Sequence, residues 1–415
     1  MTPRAQLITR QSDAYKTLSL GILTGSSLQQ ESISGEAHFL EHMCFKANTQ
    51  FDIKTAMQTL DTLSGQVNAM TARDYTLYHM TVPCGYESEA LPILLGLYTG
   101  AALRETDIEK ERGVILEEMN MIADMPDELA DDLVYAAAFG DPFGREILGT
   151  PASVTTITAD SLAQFRAYYY NLDRVVISAV GNPDAIQWVD NYIASYTWPA
   201  ASRVHAPTPA PVFRAQAKYL HRPSEQTHFS LLFPTCARSD AKRYGYSAVA
   251  AVLGGTMSSR LFQAIREDRG WAYSIYAHCS FYEQTGTLAI TGGISTQYIR
   301  DTLDIIQSTL QSIRTEGLHP GELDRVKRYL KNQLIVGLET TGSWMGLLAK
   351  TAFSGDYRDS EALLAQSFDA IDAINAAIIH ERLQGFSLEN AALAIVGPTV
   401  KTGTMPTWQA LDTLS

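Results

Sequence analysis

The sequence predicts an α+β protein with two homologous α/β halves, each a mixed, mainly antiparallel sheet with helices packed on one face. The chain has 415 residues, enough for two or three hydrophobic cores. A proline-rich stretch near the midpoint, residues 199–212, is typical of an extended linker. The order of predicted strands and helices is similar on both sides, which indicates an internal duplication. We therefore expect an N-terminal domain over 1–198 and a C-terminal domain over 213–415.

The individual elements follow from hydrophobic periodicity and turn residues. In the first half we expect an apolar strand over 15–23, then a helix, a hairpin, longer helices and a closing strand over 174–180. The second half repeats this course. Its predicted strands cover 227–233, 272–279, 286–292 and 391–396, and its predicted helices cover 247–253, 298–315 and 320–338.

A short motif in the first half carries the strongest chemical signal. His38, Glu41 and His42 have the spacing H-x-x-E-H, the order of the zinc-binding inverzincin motif. On a helix, which we expect over 34–47 with Ser34 as N-cap, the two imidazoles lie one turn apart on the same face. The alternative is a surface helix with two solvated histidines. The apolar remainder of the segment favours a buried helix, in which these polar groups need a partner or a metal.

The third ligand is expected from a second helical segment, residues 106–124. Glu118 lies on its apolar stripe, where an unpaired carboxylate is unfavourable, whereas the neighbouring Glu117 is rotated roughly 100° towards solvent. Glu111 projects from nearly the same face two turns earlier. Two interpretations stay open for these carboxylates: an internal salt bridge, or a metal ligand at Glu118 with Glu111 orienting another ligand.

The residues from Glu111 to Glu118 read ERGVILEE, and together with the H-x-x-E-H motif they resemble the pitrilysin/insulinase metallopeptidases. The similarity is to the short branch of that family, which includes the mitochondrial processing peptidase β subunit and bacterial relatives. The resemblance implies that His38, His42 and Glu118 bind one zinc ion per chain. It further implies that Glu41 is the general base and that Glu111 is a supporting carboxylate.

A segment after the motif is similar to the substrate-binding strand of that family. Asn68, Ala69, Met70 and Thr71 follow a glycine turn and lead into alternating strand residues. In the family this stretch is an edge strand with which an extended peptide pairs through its backbone. From the residues alone, the stretch is also compatible with an ordinary buried hairpin.

The second half contains Arg266 and Tyr273, seven positions apart as in the family segment that approaches the substrate. A guanidinium and a phenol can donate hydrogen bonds to a developing oxyanion. Without the resemblance, Arg266 is equally well interpreted as a surface arginine paired with a carboxylate. No H-x-x-E-H motif occurs in the second half, so we expect one metal site, in the first half.

Composition argues against several other classes of protein. The formal net charge of −13 and a pI near 5.2 disfavour nucleic acid as the main partner. The sequence contains no run of eighteen apolar residues, so we expect no membrane span. The start lacks the features of a secretory or mitochondrial presequence, which favours a bacterial cytoplasmic protein. The four cysteines show no C-x-x-C spacing and are expected to be reduced and buried: Cys44, Cys84, Cys236 and Cys279.

These features favour a zinc-dependent endopeptidase that cleaves short or unfolded peptides. The resemblance implies a homodimer that encloses a chamber, in which Arg266 and Tyr273 reach the site of the partner subunit, and a heterodimer with a silent relative stays open. The alternative function is a catalytically silent peptide-binding or assembly subunit of a heterodimeric processing peptidase. The intact set of motif residues argues against an assembly subunit that has lost catalysis, whereas a peptide-binding protein that holds zinc without turnover stays open.

Overall fold

The structure, a computed structural model, describes residues 6–25, 28, 31–170, 175–198, 209–355 and 359–398, and the backbone of 411–414. Most of the linker predicted over 199–212 lies outside these described residues. The chain forms two compact units, each drawn from three stretches of sequence. The first comprises Met1–Met119, Glu146–Thr208 and Ile335–Glu361, and the second comprises Asn120–Arg145, Pro209–Leu334 and Ala362–Ser415.

The strands, in chain order, are β1 (Gln6–Gln11), β2 (Thr17–Thr24), β3 (Gln66–Thr71), β4 (Thr76–Pro83), β5 (Val175–Gly181), β6 (Ala217–His221), β7 (Thr227–Pro234), β8 (Ala272–Phe281), β9 (Gly286–Ile294), β10 (Ala392–Gly397) and β11 (Leu411–Leu414). The α-helices are α1 (Glu36–Cys44), α2 (Ile53–Thr62), α3 (Glu87–Thr99), α4 (Glu105–Ala123), α5 (Pro126–Phe139), α6 (Pro151–Val154), α7 (Ala159–Tyr169), α8 (Pro183–Ser195), α9 (Arg243–Leu253), α10 (Ile299–Glu316), α11 (Glu322–Gly337), α12 (Thr341–Phe353), α13 (Ser360–Asp372) and α14 (Ala376–Leu383). A π-helical segment covers Phe262–Glu267, and single 3-10 turns cover Thr296–Tyr298 and Leu388–Asn390.

The two sheets share one topology, which confirms the predicted fold class and the duplication. The first sheet has the order β1-β5-β2-β4-β3, and β6 to β10 repeat it as β6-β10-β7-β9-β8 with β11 added beside β6. In each sheet the first pair, β1 with β5 and β6 with β10, is parallel. The pairs that follow are antiparallel, so both sheets are mixed and mainly antiparallel.

The first sheet is covered on both faces. Leu18, Leu20 and Ile22 of β2 alternate into a core formed with α1, α3, α7 and α8, which is the expected layer of helices on one face. The residues between them face α12. Ser19 Oγ lies 2.9 Å from Thr341 Oγ1, and Gly21 allows Met345 to approach the strand where a Cβ would collide with its sulfur.

The second sheet has the same arrangement. Leu393 and Ile395 of β10 point into the main core of this unit, whereas Ala392 and Ala394 pack on the opposite face against α5. Each unit therefore takes one covering helix from the other half of the sequence, α12 for the first and α5 for the second. The predicted layers of helices on one face are present, and these single helices cover the other face.

Strands β1 and β6 were not predicted, and each precedes the strand that was expected to open its half. In β1 the one buried hydrophobic residue is Ile8, because the strand has a single neighbour in the described sheet. In β6 only alternate residues, Ala217 and Tyr219, are buried. Neither segment therefore shows the apolar run that identifies a central strand.

All four cysteines are free thiols, as predicted, but burial is complete only for Cys44. Cys84, Cys236 and Cys279 are partly exposed. Among the described residues no single helix is long and apolar enough to cross a membrane, and the bent pair α13 and α14 meets that test by length and composition only.

Candidate metal centre

Helix α1 carries the H-x-x-E-H motif and is held at its start by an acidic side chain. The predicted N-cap Ser34 is wrong, because α1 begins at Glu36 and its cap position is Gly35 with φ +94°. The Glu31 carboxylate accepts hydrogen bonds from the backbone N–H groups of Gly35 (3.1 Å) and Ala37 (2.9 Å). These bonds satisfy donors that a helix N-terminus otherwise leaves unpaired.

The two histidines of α1 lie on one face of the helix, with ring centroids 4.6 Å apart. Their side chains are 9% exposed for His38 and 21% exposed for His42. Burial, with a smaller contribution from the His42 ring, lowers the pKa of His38 to about 3. His38 is therefore a neutral imidazole near neutral pH, the form that binds metals.

Helix α4 brings Glu118 to the same place. Its Oε2 lies 3.7 Å from His38 Nε2 and 3.5 Å from His42 Nε2. One ligand atom from each of the three side chains lies within 4.8 Å of the other two. Zinc bonds of 2.0–2.2 Å at tetrahedral angles separate ligand atoms by about 3.3–3.6 Å, and the two distances to Glu118 Oε2 are close to this range. The Glu118 side chain is 39% exposed, which leaves access from solvent.

Glu111, two turns before Glu118 in α4, contacts His42 at the ring nitrogen that lies away from Glu118. Its Oε2 lies 3.0 Å from His42 Nδ1, and its Oε1 lies 2.7 Å from Lys46 Nζ. Both contacts suit an ionised carboxylate, which is 4% exposed. The salt bridge considered from the sequence therefore exists, with Lys46 as the cation, alongside the orienting contact to His42. Sequence reasoning missed Lys46, although it follows His42 by one helical turn.

Glu41 lies between the histidines in sequence and contacts the edge strand. Thr71 Oγ1 donates a hydrogen bond of 2.5 Å to Glu41 Oε2. Burial raises the pKa of Glu41, and the hydrogen bonds from Thr71 partly oppose that shift. Thr71 was expected to bind substrate, and its hydroxyl here holds the carboxylate expected to act as the base.

Strand β3, which contains Asn68 to Thr71, is the last strand of its sheet among the described residues. The hydrogen bond from Ala72 N to Tyr75 O shows which residues of β3 exchange backbone hydrogen bonds with β4, and by alternation the backbone groups of Ala69 and Thr71 point away from β4. The Thr71 N–H is hydrogen-bonded to the Glu41 carboxylate. In this structure Ala69 N–H donates to Asn68 Oδ1 at 2.9 Å. Ala69 points its side chain into the core, whereas Asn68 and Met70 are exposed, so the strand is not a fully buried hairpin.

Arg266 and Tyr273 belong to the second unit and lie close to each other. The Arg266 guanidinium carbon is 5.3 Å from the centre of the Tyr273 ring. Arg266 lies in the π-helical segment, with its Nε 3.7 Å from a Glu267 carboxylate oxygen. Tyr273 is 78% exposed on β8, the edge strand of the second sheet within the described residues. Both side chains are thus accessible to a ligand.

Both halves of the chain are similar to proteins of one peptidase family. Residues 6–151 match the family model described as Insulinase (Peptidase family M16), and residues 156–330 match the one described as Peptidase M16 inactive domain. The uncharacterized zinc protease YmxG of Bacillus subtilis is 31% identical, covering 97% of this chain and 97% of its own length. An uncharacterized zinc protease of Streptomyces coelicolor is 30% identical over 95% of this chain and 87% of its own.

Two solved structures share the fold. A structure described as a peptidase M16 inactive domain from Pseudomonas fluorescens has a TM-score of 0.87 at 18% identity, covering 96% of this chain and 97% of that one. A protease from Helicobacter pylori has a TM-score of 0.86 at 17% identity, covering 96% and 98%. With the sequence matches, these findings show that the chain belongs to the insulinase family of peptidases, family M16.

Proposed function

We propose that the protein is a zinc-dependent endopeptidase that hydrolyses short or unfolded peptides, with one zinc ion per chain. The observation that carries this proposal is the convergence of His38, His42 and Glu118 beside the Glu41 carboxylate. The relatives named zinc proteases support the metal and the reaction class.

The chain's own residues supply positioning and proton transfer. A bound zinc ion would supply a Lewis acid that lowers the pKa of water and polarises a peptide carbonyl. Glu41 would accept a proton from the attacking water and donate it to the leaving amine nitrogen. Thr71 holds one oxygen of Glu41 through its short hydrogen bond, which limits the rotation of that carboxylate. Glu111 holds His42 through Nδ1, which leaves Nε2 directed towards Glu118.

Recognition of the peptide is proposed to use the backbone of β3. An extended peptide would pair, as an added strand, with the outward N–H and C=O groups of Ala69 and with the Thr71 C=O, because the Thr71 N–H is hydrogen-bonded to the Glu41 carboxylate. Asn68 Oδ1 would have to release the Ala69 N–H first, because that donor is occupied by it here. Backbone pairing is tolerant of side chains, which suits varied unfolded substrates.

The remaining parts of the proposal concern assembly. Arg266 and Tyr273 are proposed to donate hydrogen bonds to the oxyanion, in a homodimer whose partner subunit provides them. Their exposure and mutual contact support such a role. The alternative assembly is a heterodimer in which a catalytically silent relative is the partner subunit. For the location of the protein we propose the bacterial cytoplasm.

The test combines turnover with metal content. Glu41→Gln should retain zinc but lower kcat by about 10²–10⁴-fold on a mixed peptide pool, because the base is lost. Glu117→Gln is the matched control, since Glu117 is exposed and adjacent to a proposed ligand. Unchanged turnover in Glu41→Gln, or no chelator-sensitive turnover by the zinc-loaded wild type, would favour a peptide-binding or assembly subunit instead.

A further inference from the structure

A cavity of about 980 Å³ lies in the first unit on the face of the sheet opposite α1. It is bounded by Gln66 and Asn68 of β3, by alternate residues of β4 and by the first turns of α12. Asn68 pairs with His79 across the β3–β4 hairpin, so the cavity begins at the edge strand proposed to bind peptides. No part of the mechanism proposed above uses it.

Two helical glycines leave room in the cavity wall. Gly342 and Gly346 are one turn apart in α12, and both line the cavity. A Cβ at Gly346 would have no heavy atom within 4 Å, and one at Gly342 would meet its nearest neighbour at 3.8 Å. Neither has a positive φ, so neither packing nor backbone conformation requires glycine there. Glycine at these two positions weakens the helix relative to alanine. The missing side chains leave the wall of the cavity open.

The lining suits an uncharged side chain. Leu77 and Met345 are buried and give the cavity an apolar base. The hydroxyls of Thr17, Ser19 and Thr81 are already bonded, since Thr341 Oγ1 and Ser19 Oγ link them at 2.8–2.9 Å. They therefore do not demand a charged partner.

The charges at the mouth do not select one sign. Lys16 and Glu339 both line the cavity, are exposed and carry opposite charges. Burial lowers the pKa of His79, so this residue is neutral at pH 7. The cavity therefore has no net preference for an acidic or a basic group.

A peptide paired with β3 would lie about 4.8 Å beyond it and alternate its side chains between the two faces of the sheet. Side chains on the α12 face would lie beside Asn68 and Met70. A short side chain would end over β3, whereas a long one would cross the strand and enter the cavity. We propose that the cavity is a specificity subsite for one long, uncharged side chain of the peptide, aromatic or of the leucine and methionine type. This inference rests on the proposed peptidase function.

The experiment uses quenched fluorescent peptides with an alanine framework, in which each position in turn carries Phe, Leu, Met, Asp or Arg. The zinc-loaded wild type is expected to prefer Phe, Leu or Met at one position by about tenfold or more in kcat/KM. Gly346→Leu should reduce this preference to below about twofold and leave cleavage of the all-alanine peptide within about twofold, because the subsite is filled while the metal centre is untouched.

Two further variants keep the test interpretable. Gly346→Ala adds one carbon and should give an intermediate loss of preference, even if the leucine variant folds poorly. Gly337→Leu is the matched control, because Gly337 is also a helical glycine with open space but does not line the cavity. A preference that survives both Gly346 substitutions, or a wild type that cleaves without side-chain preference, would overturn the subsite and leave the peptidase intact. A wild type that cleaves no peptide would overturn both.

Discussion

Three glutamates of α4 show how helical rotation assigns different environments to one residue type. Glu111 is buried against His42 and Lys46, Glu118 faces both histidines at the surface of the centre, and Glu117 is exposed. A buried carboxylate is tolerated only with partners, and Glu111 has a cation and a ring nitrogen. Its contact with His42 Nδ1 orients the ring that would bind the metal.

This arrangement predicts that Glu111→Gln lowers zinc affinity without removing a ligand. Losing a carboxylate behind a ligating histidine reduces metal affinity by about 10–100-fold in comparable sites. The measurement is zinc competition against a chromophoric chelator at constant pH. Lys46→Met should weaken zinc binding less, because Glu111 would keep its contact with His42.

Glu117→Gln is the control for this series, since it removes an exposed carboxylate of the same helix. Its zinc affinity should match the wild type. Equal affinities for wild type and Glu111→Gln would show that the Glu111 contact is structural and does not tune the metal site.

Spacing rules explain which part of the site was predictable at this scale. The helical period predicted that His38 and His42 share a face, and the apolar stripe of α4 singled out Glu118; the three lie together, and their role as ligands stays a prediction. The contacts of Lys46 with Glu111 and of Thr71 with Glu41 depend on how separate segments pack. No periodicity within one segment encodes such pairs.

At the scale of elements, the start of α1 depends on a single glycine. Gly35 has φ +94°, and a Cβ there would lie 2.6 Å from the backbone oxygen of Leu148. That turn lets the Glu31 carboxylate reach the first donors of the helix. Gly35→Ala should therefore destabilise the protein by about 2–4 kcal/mol, from backbone strain and the collision together.

Urea unfolding measures this effect, and Gly85→Ala separates its two causes. Gly85 has φ +99°, but a Cβ there would meet nothing within 4 Å. Its alanine variant should lose only the backbone contribution, about 1 kcal/mol. If both variants lost the same stability, the contact with Leu148 would play no part.

Elements with a continuous apolar stripe were predicted more accurately than elements with few buried residues. Helix α4 was expected over 106–124 and spans Glu105–Ala123, because it has a continuous apolar stripe. The predicted start of α1 was wrong because serine is a common N-cap residue, and Ser34 precedes the motif. In the structure the first N–H groups of the helix donate to the side chain of Glu31 instead. β1 and β6 were missed because few of their residues are buried.

For the whole molecule, the important feature is the exchange of helices between the halves of the sequence. The first unit includes α12, which follows residue 334, and the second includes α5, which precedes residue 146. The sequence predicted the duplication from repeated element order. It gave no sign of the exchange, because α5 and α12 show ordinary helical patterns that fit either sheet.

The exchange predicts that neither half of the chain folds by itself. Residues 1–198 lack α12. Without that helix, Ser19 and Gly21 of β2 would face solvent, whereas in the full chain they contact Thr341 and Met345. Buried side chains the size of Met345 or Leu348 contribute about 1.5–3 kcal/mol each. The apolar residues that α12 buries are Trp344, Met345, Leu348, Ala349 and Ala352. Their combined contribution approaches the 5–15 kcal/mol that typically stabilises a domain.

Residues 1–198 expressed without the rest should therefore show no cooperative urea transition, whereas co-expression with residues 209–415 should yield a complex that unfolds cooperatively. Tryptophan fluorescence and size-exclusion chromatography measure both properties. The control is the full chain cut by a site-specific protease between residues 198 and 209 after folding, which should stay associated because α5 and α12 remain in place. A stable, cooperatively unfolding monomer of 1–198 would mean that α12 is dispensable for the first sheet.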